Sequence, residues 1–417
     1  MGVLRSNVNV RRLFFAQNIS VMGDYFTYVA LVGLIKDATD STFLVSLVYA
    51  AYVLPSFFFS PLAGPIVDKF DRRKIIVFIS ALQAICGIGF LLSSADRIWL
   101  ALLTQIVISS LAVITLPAFG SGLPNITRND EELRQANALF GSSWGASVFI
   151  GSAVGGLFAA TFGRTATFAA DIATFVISLV LIAMMKKIPP SHEAEKPSLA
   201  GLIDGIRYAF GRKDLLGTYV IDLAAMFFAM PTALIPFWAD QLNAPWALGL
   251  LYAAMTVGSI IVTLTSGWIK NVHFYGRAIM WAAIGWGAAI ALAGISNSLI
   301  LVLLFLAIAG GADMISALFR GTIWNQTIPD NLRGRLAGIE LLSYSIGPLA
   351  GQLRAASMAA ATSLTFSVTA GGLICVFMVA LLASFLPKLR KYDAETNEFA
   401  VEMRKIRELE QKNRDEK

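Results

Sequence analysis

Charge is what this chain has least of. Of its 417 residues 14% are Asp, Glu, Lys or Arg and 56% are apolar, whereas soluble globular chains carry about 25% charge. Lipid is the only medium in which so apolar a surface persists, so the composition excludes a soluble domain and points to an integral membrane protein. Cysteine and histidine are nearly missing as well. Cys86 and Cys375 lie in long apolar runs with no Cys or His at ligand spacing, which argues against a disulfide framework and a metal site and leaves two buried thiols. The two histidines, His192 and His273, fall between apolar runs. No Gly-x-x-x-x-Gly-Lys-[Ser/Thr] loop is present, which argues against ATP hydrolysis. Neither an enzyme nor a cofactor is indicated. Strand-type alternation over about 10 residues, the mark of a membrane barrel, is absent too.

What is present is a series of apolar runs of the length a helix needs to cross a bilayer, about 20 residues. They fall near 13–35, 44–67, 75–94, 98–121, 136–160 and 165–185, then near 214–238, 246–268, 277–296, 298–324, 336–358 and 363–386. The first run follows Arg5, Arg11 and Arg12; it is too long for a signal-peptide core and is read as a retained span. The expected architecture is an all-α membrane protein of twelve transmembrane helices. Its expected domains are a six-helix bundle over 1–185, a linker over 186–213, a second six-helix bundle over 214–387 and a charged tail over 388–417. The tail holds nine basic and eight acidic residues and reads as a solvated helix; Ile203, Ile206 and Phe210 give the linker an amphipathic face.

The net charge of +6 then becomes a statement about topology. With twelve spans, 28 of the 33 Lys and Arg residues fall in the termini, the linker and the alternate loops on their side, and the opposite loops hold only Lys36, Arg97 and Arg164. The positive-inside rule puts the crowded side in the cytoplasm. The expected location is the cell (inner or plasma) membrane with both termini cytoplasmic, and no nucleic-acid partner is needed to explain the basic balance.

The two halves resemble each other. Gly151, Gly155 and Gly156 near the fifth span correspond to Gly347, Gly351 and Gln352 near the eleventh, a shift of 196 residues, and the stretch Gly64 to Arg73 has a worn counterpart beginning at Gly267 to Asn271, a shift of 203. Internal duplication of this kind is common in transporters. Small residues four apart, Gly141 and Gly145, then Ser147, Gly151 and Gly155, and in the eleventh span Ser343, Gly347, Gly351 and Ala355, let helix backbones approach closely, and with the adjoining Gly156 and Pro348 they are expected at packing faces.

After span two stands Gly64-Pro-Ile-Val-Asp68-Lys69-Phe-Asp71-Arg72-Arg73, which resembles the signature G-x-x-x-D-[RK]-x-G-R-[RK] of the major facilitator superfamily, with Asp71 at the glycine position. Over about residues 10–387 the chain is similar to that family, and Gly23-Asp24, the acidic position 71, Gly201 to Tyr208, Gly249 to Ala254, and Pro329 with Arg333-Gly334-Arg335 are similar to its drug and siderophore exporters, among them macrolide efflux proteins and the enterobactin exporter. It departs from the proton-coupled drug exporters where Thr104 and Gln105 stand in place of a span-four arginine motif. The resemblance implies alternating access between two six-helix bundles. Gly64, Asp68, Lys69, Asp71, Arg72, Arg73, Arg333 and Arg335 would serve conformational gating, with Asp68, Arg72 and Arg73 stabilising the state closed to the cytoplasm.

An ionisable residue at a span centre costs about 2.5–3.5 kcal/mol on insertion scales, so each asks for a reason. The candidates for proton coupling or the substrate cavity are Asp24, Asp222, Asp313, Arg320, Glu340 and Arg354, joined by Tyr25, Tyr28, Tyr52, Phe119 and Tyr252. Asp313 and Arg320 are seven apart and share a helix face, so an ion pair within or between spans ten and eleven is expected to lower their cost. Asp171 reads as a helix-start residue near the outer face. The function expected is secondary export of an amphiphilic drug-like compound or siderophore by proton antiport. Substrate, protons and membrane lipids are the partners, and the chain is expected to act as a monomer. A lysophospholipid transporter is the alternative, and a non-transporting sensor or scaffold the alternative of another class. The charge asymmetry predicts that a cysteine at position 192 is reached by an impermeant maleimide in inverted vesicles and is silent in intact cells. Labelling from outside intact cells would reverse the topology.

Overall fold

The structure is a computed structural model. It describes residues 2–189, 207, 208 and 211–415, with the side chains at 61, 62, 142, 330–343, 407 and 410–415 outside the description. A backbone in hydrocarbon must satisfy its own hydrogen bonds, and the helix does so within one segment. Accordingly no strand occurs among the described residues, and each predicted span is helical. Span one is Val8–Thr39, two Thr42–Lys69, three Arg72–Leu91, four Ile98–Ile126, five Asp130–Phe162 and six Arg164–Ala183. Span seven is broken into Lys213–Ala229 and Ile235–Gln241; eight is Leu248–Leu264, nine Tyr275–Ile295, ten Leu299–Thr327, eleven Asp330–Ala361 and twelve Leu364–Phe385. Among the described residues 11 helices are long and apolar enough to cross a membrane. Span eleven is not one of them, because Gln352 and Arg354 dilute its described apolar run.

Short polar side chains set where spans begin. Asn7 accepts from the N–H groups of Asn9 and Val10, Ser41 from Leu44, Asp71 from Lys74, Asn129 from Glu132 and Ser363 from Phe366. Each satisfies a donor that the first helical turn leaves open. Asp71, the departure from the family signature, is thus the cap of span three.

The chain divides into two compact units, Met1–Pro197 with Ala233–Thr256, and Ser198–Thr232 with Val257–Lys417. In the first, one apolar core gathers Leu13, Ile76, Phe119, Leu123 and Ile182, and a second gathers Leu31, Ile35, Val48, Phe90 and Phe175 with Phe237, Leu248 and Tyr252 packed against it. Phe119, expected in a substrate cavity, is 4% exposed inside the first of these cores. Small residues make the closest approaches. A Cβ on Gly151 would lie 2.9 Å from the Met22 carbonyl oxygen, one on Gly155 2.8 Å from Phe26 Cα, and one on Gly156 2.7 Å from Gly249 N. Gly145 does not share that role: a Cβ there would meet nothing within 4 Å, because its face of span five turns away from span one.

The second unit repeats the device with span seven in place of span one. Gly347 packs on Leu223 and Met226, and a Cβ on Gly351 would collide with the Met226 carbonyl oxygen and come 3.0 Å from Met230 Cβ. Pro348 lies inside span eleven between those two contacts. Cys375 is fully buried against Gly287, whereas Cys86 in the first unit is only half-buried.

The tail departs from a wholly solvated helix. Leu389 and Tyr392 are buried, Leu389 against Gly217 and Gly276 and Tyr392 stacked on Tyr275 at 6.1 Å. Arg212 pairs both guanidinium edges with Asp214 at 2.9 and 2.7 Å and lies 3.5 Å from the Phe399 ring centre. Burial works against that charge, and the Asp214 pair and Tyr208 outweigh it, so the guanidinium is held above its ordinary pKa. Apolar residues spaced within a charge-balanced tail thus find a surface the composition did not reveal. Tyr208 is described, but Ile203, Ile206 and Phe210 of the predicted linker helix lie outside the described residues.

The Gly351 contact generates a test. Gly351→Ala should destabilise the protein by about 1–3 kcal/mol through overpacking against span seven. Gly145→Ala should leave the apparent Tm in detergent unchanged, and equal loss in both variants would refute the packing difference.

Candidate functional site

In the first unit the polar interior is built on span one. Tyr25 and Tyr28 lie with ring centres 6.4 Å apart, and Tyr52 of span two is 6.4 Å from Tyr25 and 6.2 Å from Tyr28. Tyr252 closes the group at 5.6 Å from Tyr28, edge to face. Four of the five aromatic residues predicted for the cavity therefore converge, with Phe119 the exception. Asp24 is half-buried at their side. Asp171 is not a helix-start residue as expected: it stands one turn and more inside span six, 2% exposed, and accepts a hydrogen bond from Thr27 Oγ1 at 2.5 Å. The helix begins at Arg164, within a residue of the run predicted near 165–185, so position 171 lies about two turns inside it and does not cap its start. The overlooked signal was Gly23, where a Cβ would collide with Asp171 and Thr174.

In the second unit Arg320 is the centre. It bonds Asp222 of span seven at 2.5 Å and lies 3.9 Å from Asp313 and 5.4 Å from the Tyr344 ring centre. The chief partner therefore comes from span seven and not from spans ten and eleven, since sequence spacing reveals only contacts along one helix. Asp313 is the accessible member, its side chain 40% exposed against 4% for Asp222. Arg354 makes no ion pair among the described residues. Its guanidinium donates to the carbonyls of Phe227 and Phe228 at 3.0 and 2.7 Å, which are left open where span seven breaks before Pro231. Glu340, Arg333 and Arg335 lie among the side chains outside the description.

The signature loop sorts by partner. Arg72, 1% exposed, donates from Nε to Ser121 Oγ at 2.8 Å and from a terminal nitrogen to the Pro189 carbonyl. Arg73 donates to the carbonyls of Ile182 and Ala183, and Arg12 to that of Met184. Arg73 and Arg12 together cover the carbonyl end of span six, where a positive charge is favoured, while Arg72 ties span four to the segment that follows span six. Lys69 is exposed over the Phe70 ring, Gly64 and Asp68 are half-buried, and Asp68 makes no hydrogen bond or ion pair with a described side chain. At the other end of the spans Lys36 bonds Asp240 and lies 3.5 Å from Asp37, which also receives Arg164.

Comparison with known proteins agrees with this architecture. Residues 13–351 match the Major Facilitator Superfamily. The chain belongs to that superfamily: it is a multi-pass membrane transporter and not an enzyme. It is 26% identical to the multidrug efflux pump Tap of Mycolicibacterium fortuitum, over 91% of this chain and 96% of Tap. It is 28% identical to the enterobactin exporter EntS of Shigella flexneri, over 94% of this chain and 95% of that one. Among solved structures, a bacterial homolog of the human lysosomal transporter Spinster superposes with a TM-score of 0.73 at 13% identity, covering 92% of this chain and 98% of that one. The nucleoside transporter NupG gives 0.72 at 12%, covering 92% and 99%. At those identities the shared property is the fold.

The Arg320 centre predicts an asymmetry. Arg320→Gln removes the positive charge that bonds Asp222 and lies near Asp313 and should cost about 3–5 kcal/mol, whereas Arg320→Gln combined with Asp222→Asn should recover much of it. Thermal unfolding of the purified variants measures both, and a double variant no more stable than the single one would contradict the pairing.

Proposed function

We propose that this chain is a secondary exporter of an amphiphilic small molecule, exchanging it for protons by alternating access between an N-terminal and a C-terminal six-helix bundle. The observation that carries the proposal is Asp24 set beside four converging tyrosine rings inside the first unit. Aromatic faces hold the apolar body of a ligand while their hydroxyls meet its polar edges. A carboxyl at membrane depth that is not matched to a base can change its protonation as its surroundings turn from dry to wet. The likeness to a multidrug efflux pump and an enterobactin exporter supports export and narrows the substrate to a drug-like compound or a siderophore.

In this reading both termini face the cytoplasm, as the 28-to-3 distribution of basic residues supports. Asp68, Arg72 and Arg73 act on conformation. Their contacts tie the start of span three to the ends of spans four and six, leaving Asp68 available for a partner in another state. The Arg320 centre of the second unit is the counterpart of Asp24, since Asp222 stands in span seven as Asp24 does in span one. One chain forms the complete transporter.

The test is reconstituted flux of erythromycin, tetracycline and enterobactin under an imposed pH gradient. Asp24→Asn keeps the shape and removes the titration, so gradient-driven efflux should fall to background while substrate-for-substrate exchange persists. Proton-driven flux equal to wild type in that variant would refute the assignment.

A further inference from the structure

Asp24 does not stand alone. Gly23 precedes it, and the space a Cβ would fill at Gly23 is taken by the Asp171 carboxyl and the Thr174 side chain. The Asp171 carboxyl of span six therefore lies against the turn of span one that carries Asp24, which sets each acid in the other's electrostatic field. Thr27, one turn after Gly23, donates to one oxygen of Asp171 at 2.5 Å. Thr174 Oγ1 lies 3.3 Å from the other and 2.7 Å from the Asp171 carbonyl oxygen.

Among the described residues no base answers this pair. Tyr25 of span one and Tyr52 of span two face it, and Tyr28, Tyr49 and Tyr252 pack against those two rings and one another. The charged residues of spans three and five lie at their starts, Arg72 to Lys74 and Asp130 to Arg134, and span four, Ile98–Ile126, has none. The nearest cation on the opposite side, Arg164, packs at Gly33, about 15 Å along the helix from Gly23. Two adjacent carboxylates with no counter-charge cannot both remain ionised in an apolar interior.

We propose that Asp24 and Asp171 act as one carboxyl pair holding a single exchangeable proton, with Thr27 fixing Asp171 as the ionised member and Gly23 leaving room for it. Asp171 is then a positioning residue for proton exchange, and this rests on the reading of Asp24 given above. When water reaches the pair, the Asp24 O–H bond breaks, the proton passes to water and the electron pair stays on the carboxylate. The two facing negative charges then favour uptake of a proton from whichever side is open. The arrangement makes the pair a device that cannot stay empty, which a lone buried carboxyl is not.

Infrared titration of the protonated-carboxyl stretch in the purified full-length protein tests this without a substrate. A coupled pair takes up its protons in two separated macroscopic steps. Asp24→Asn and Asp171→Asn should each show one step, lying between the two of wild type, and the double variant should show neither. Gly23→Ala, which displaces the Asp171 carboxyl, should bring the two steps together, and Thr27→Ser should keep the wild-type pattern where Thr27→Val loses it. Single variants that each retain one wild-type step unmoved would overturn the pair, because the acids would then titrate independently. Flux on the same preparations separates the two readings. Independent steps together with lost gradient-driven efflux in Asp24→Asn would remove the pair and leave the exporter, whereas coupled steps with wild-type efflux in Asp24→Asn would keep the pair and remove its role in coupling.

Discussion

Hydrocarbon offers no hydrogen bonds, so each polar group that a span carries must be answered by another part of the chain. That constraint organises the molecule at every scale. It makes the backbone helical, it sets Asn, Ser and Asp at the span starts, and it brings Arg12 and Arg73 to the carbonyl end of span six. Where span seven breaks, the freed carbonyls of Phe227 and Phe228 find Arg354 from span eleven. Arg354 is costly as a charge in a span but useful as a double donor, since a planar guanidinium can satisfy two acceptors at once.

The two units answer the same problem in opposite ways. Asp222 in span seven is neutralised by Arg320 of span ten, which leaves Asp313 as the accessible acid. Asp24 in span one faces a second acid, Asp171, with threonine and tyrosine around it. A matched ion pair holds its charge and favours a fixed arrangement, whereas burial of acids without a base disfavours their charged forms, which is the ground of the proton-exchange role proposed for them.

Close packing has the same duplicated logic. Gly151 and Gly155 admit span one, and Gly347 and Gly351 admit span seven. In lipid the association of helices draws on van der Waals contact, so removing the side chain at the crossing is how two backbones come near enough to gain it. Gly145, at the same spacing, faces open space, which shows that a stripe of small residues marks a possible crossing without saying which part of it is used.

Much of this was legible in the residues in order. Low charge and runs of about 20 apolar residues establish helical spans because bilayer thickness is fixed, and Gly64 to Arg73 with the duplicated glycines indicate the family. Those signals are local or periodic along one helix, and so was the shared face of Asp313 and Arg320. Contacts between helices were decided only by tertiary structure. Asp222 reached Arg320 across spans, Asp171 moved from a helix start to the interior, Phe119 went into a core, and the tail found a docking surface for Leu389 and Tyr392. The physical reason is that a helix repeats its faces every 3.6 residues without recording which neighbour each face will meet. Rotation of a span about its own axis costs nothing in its own hydrogen bonds, so packing against other spans alone selects it.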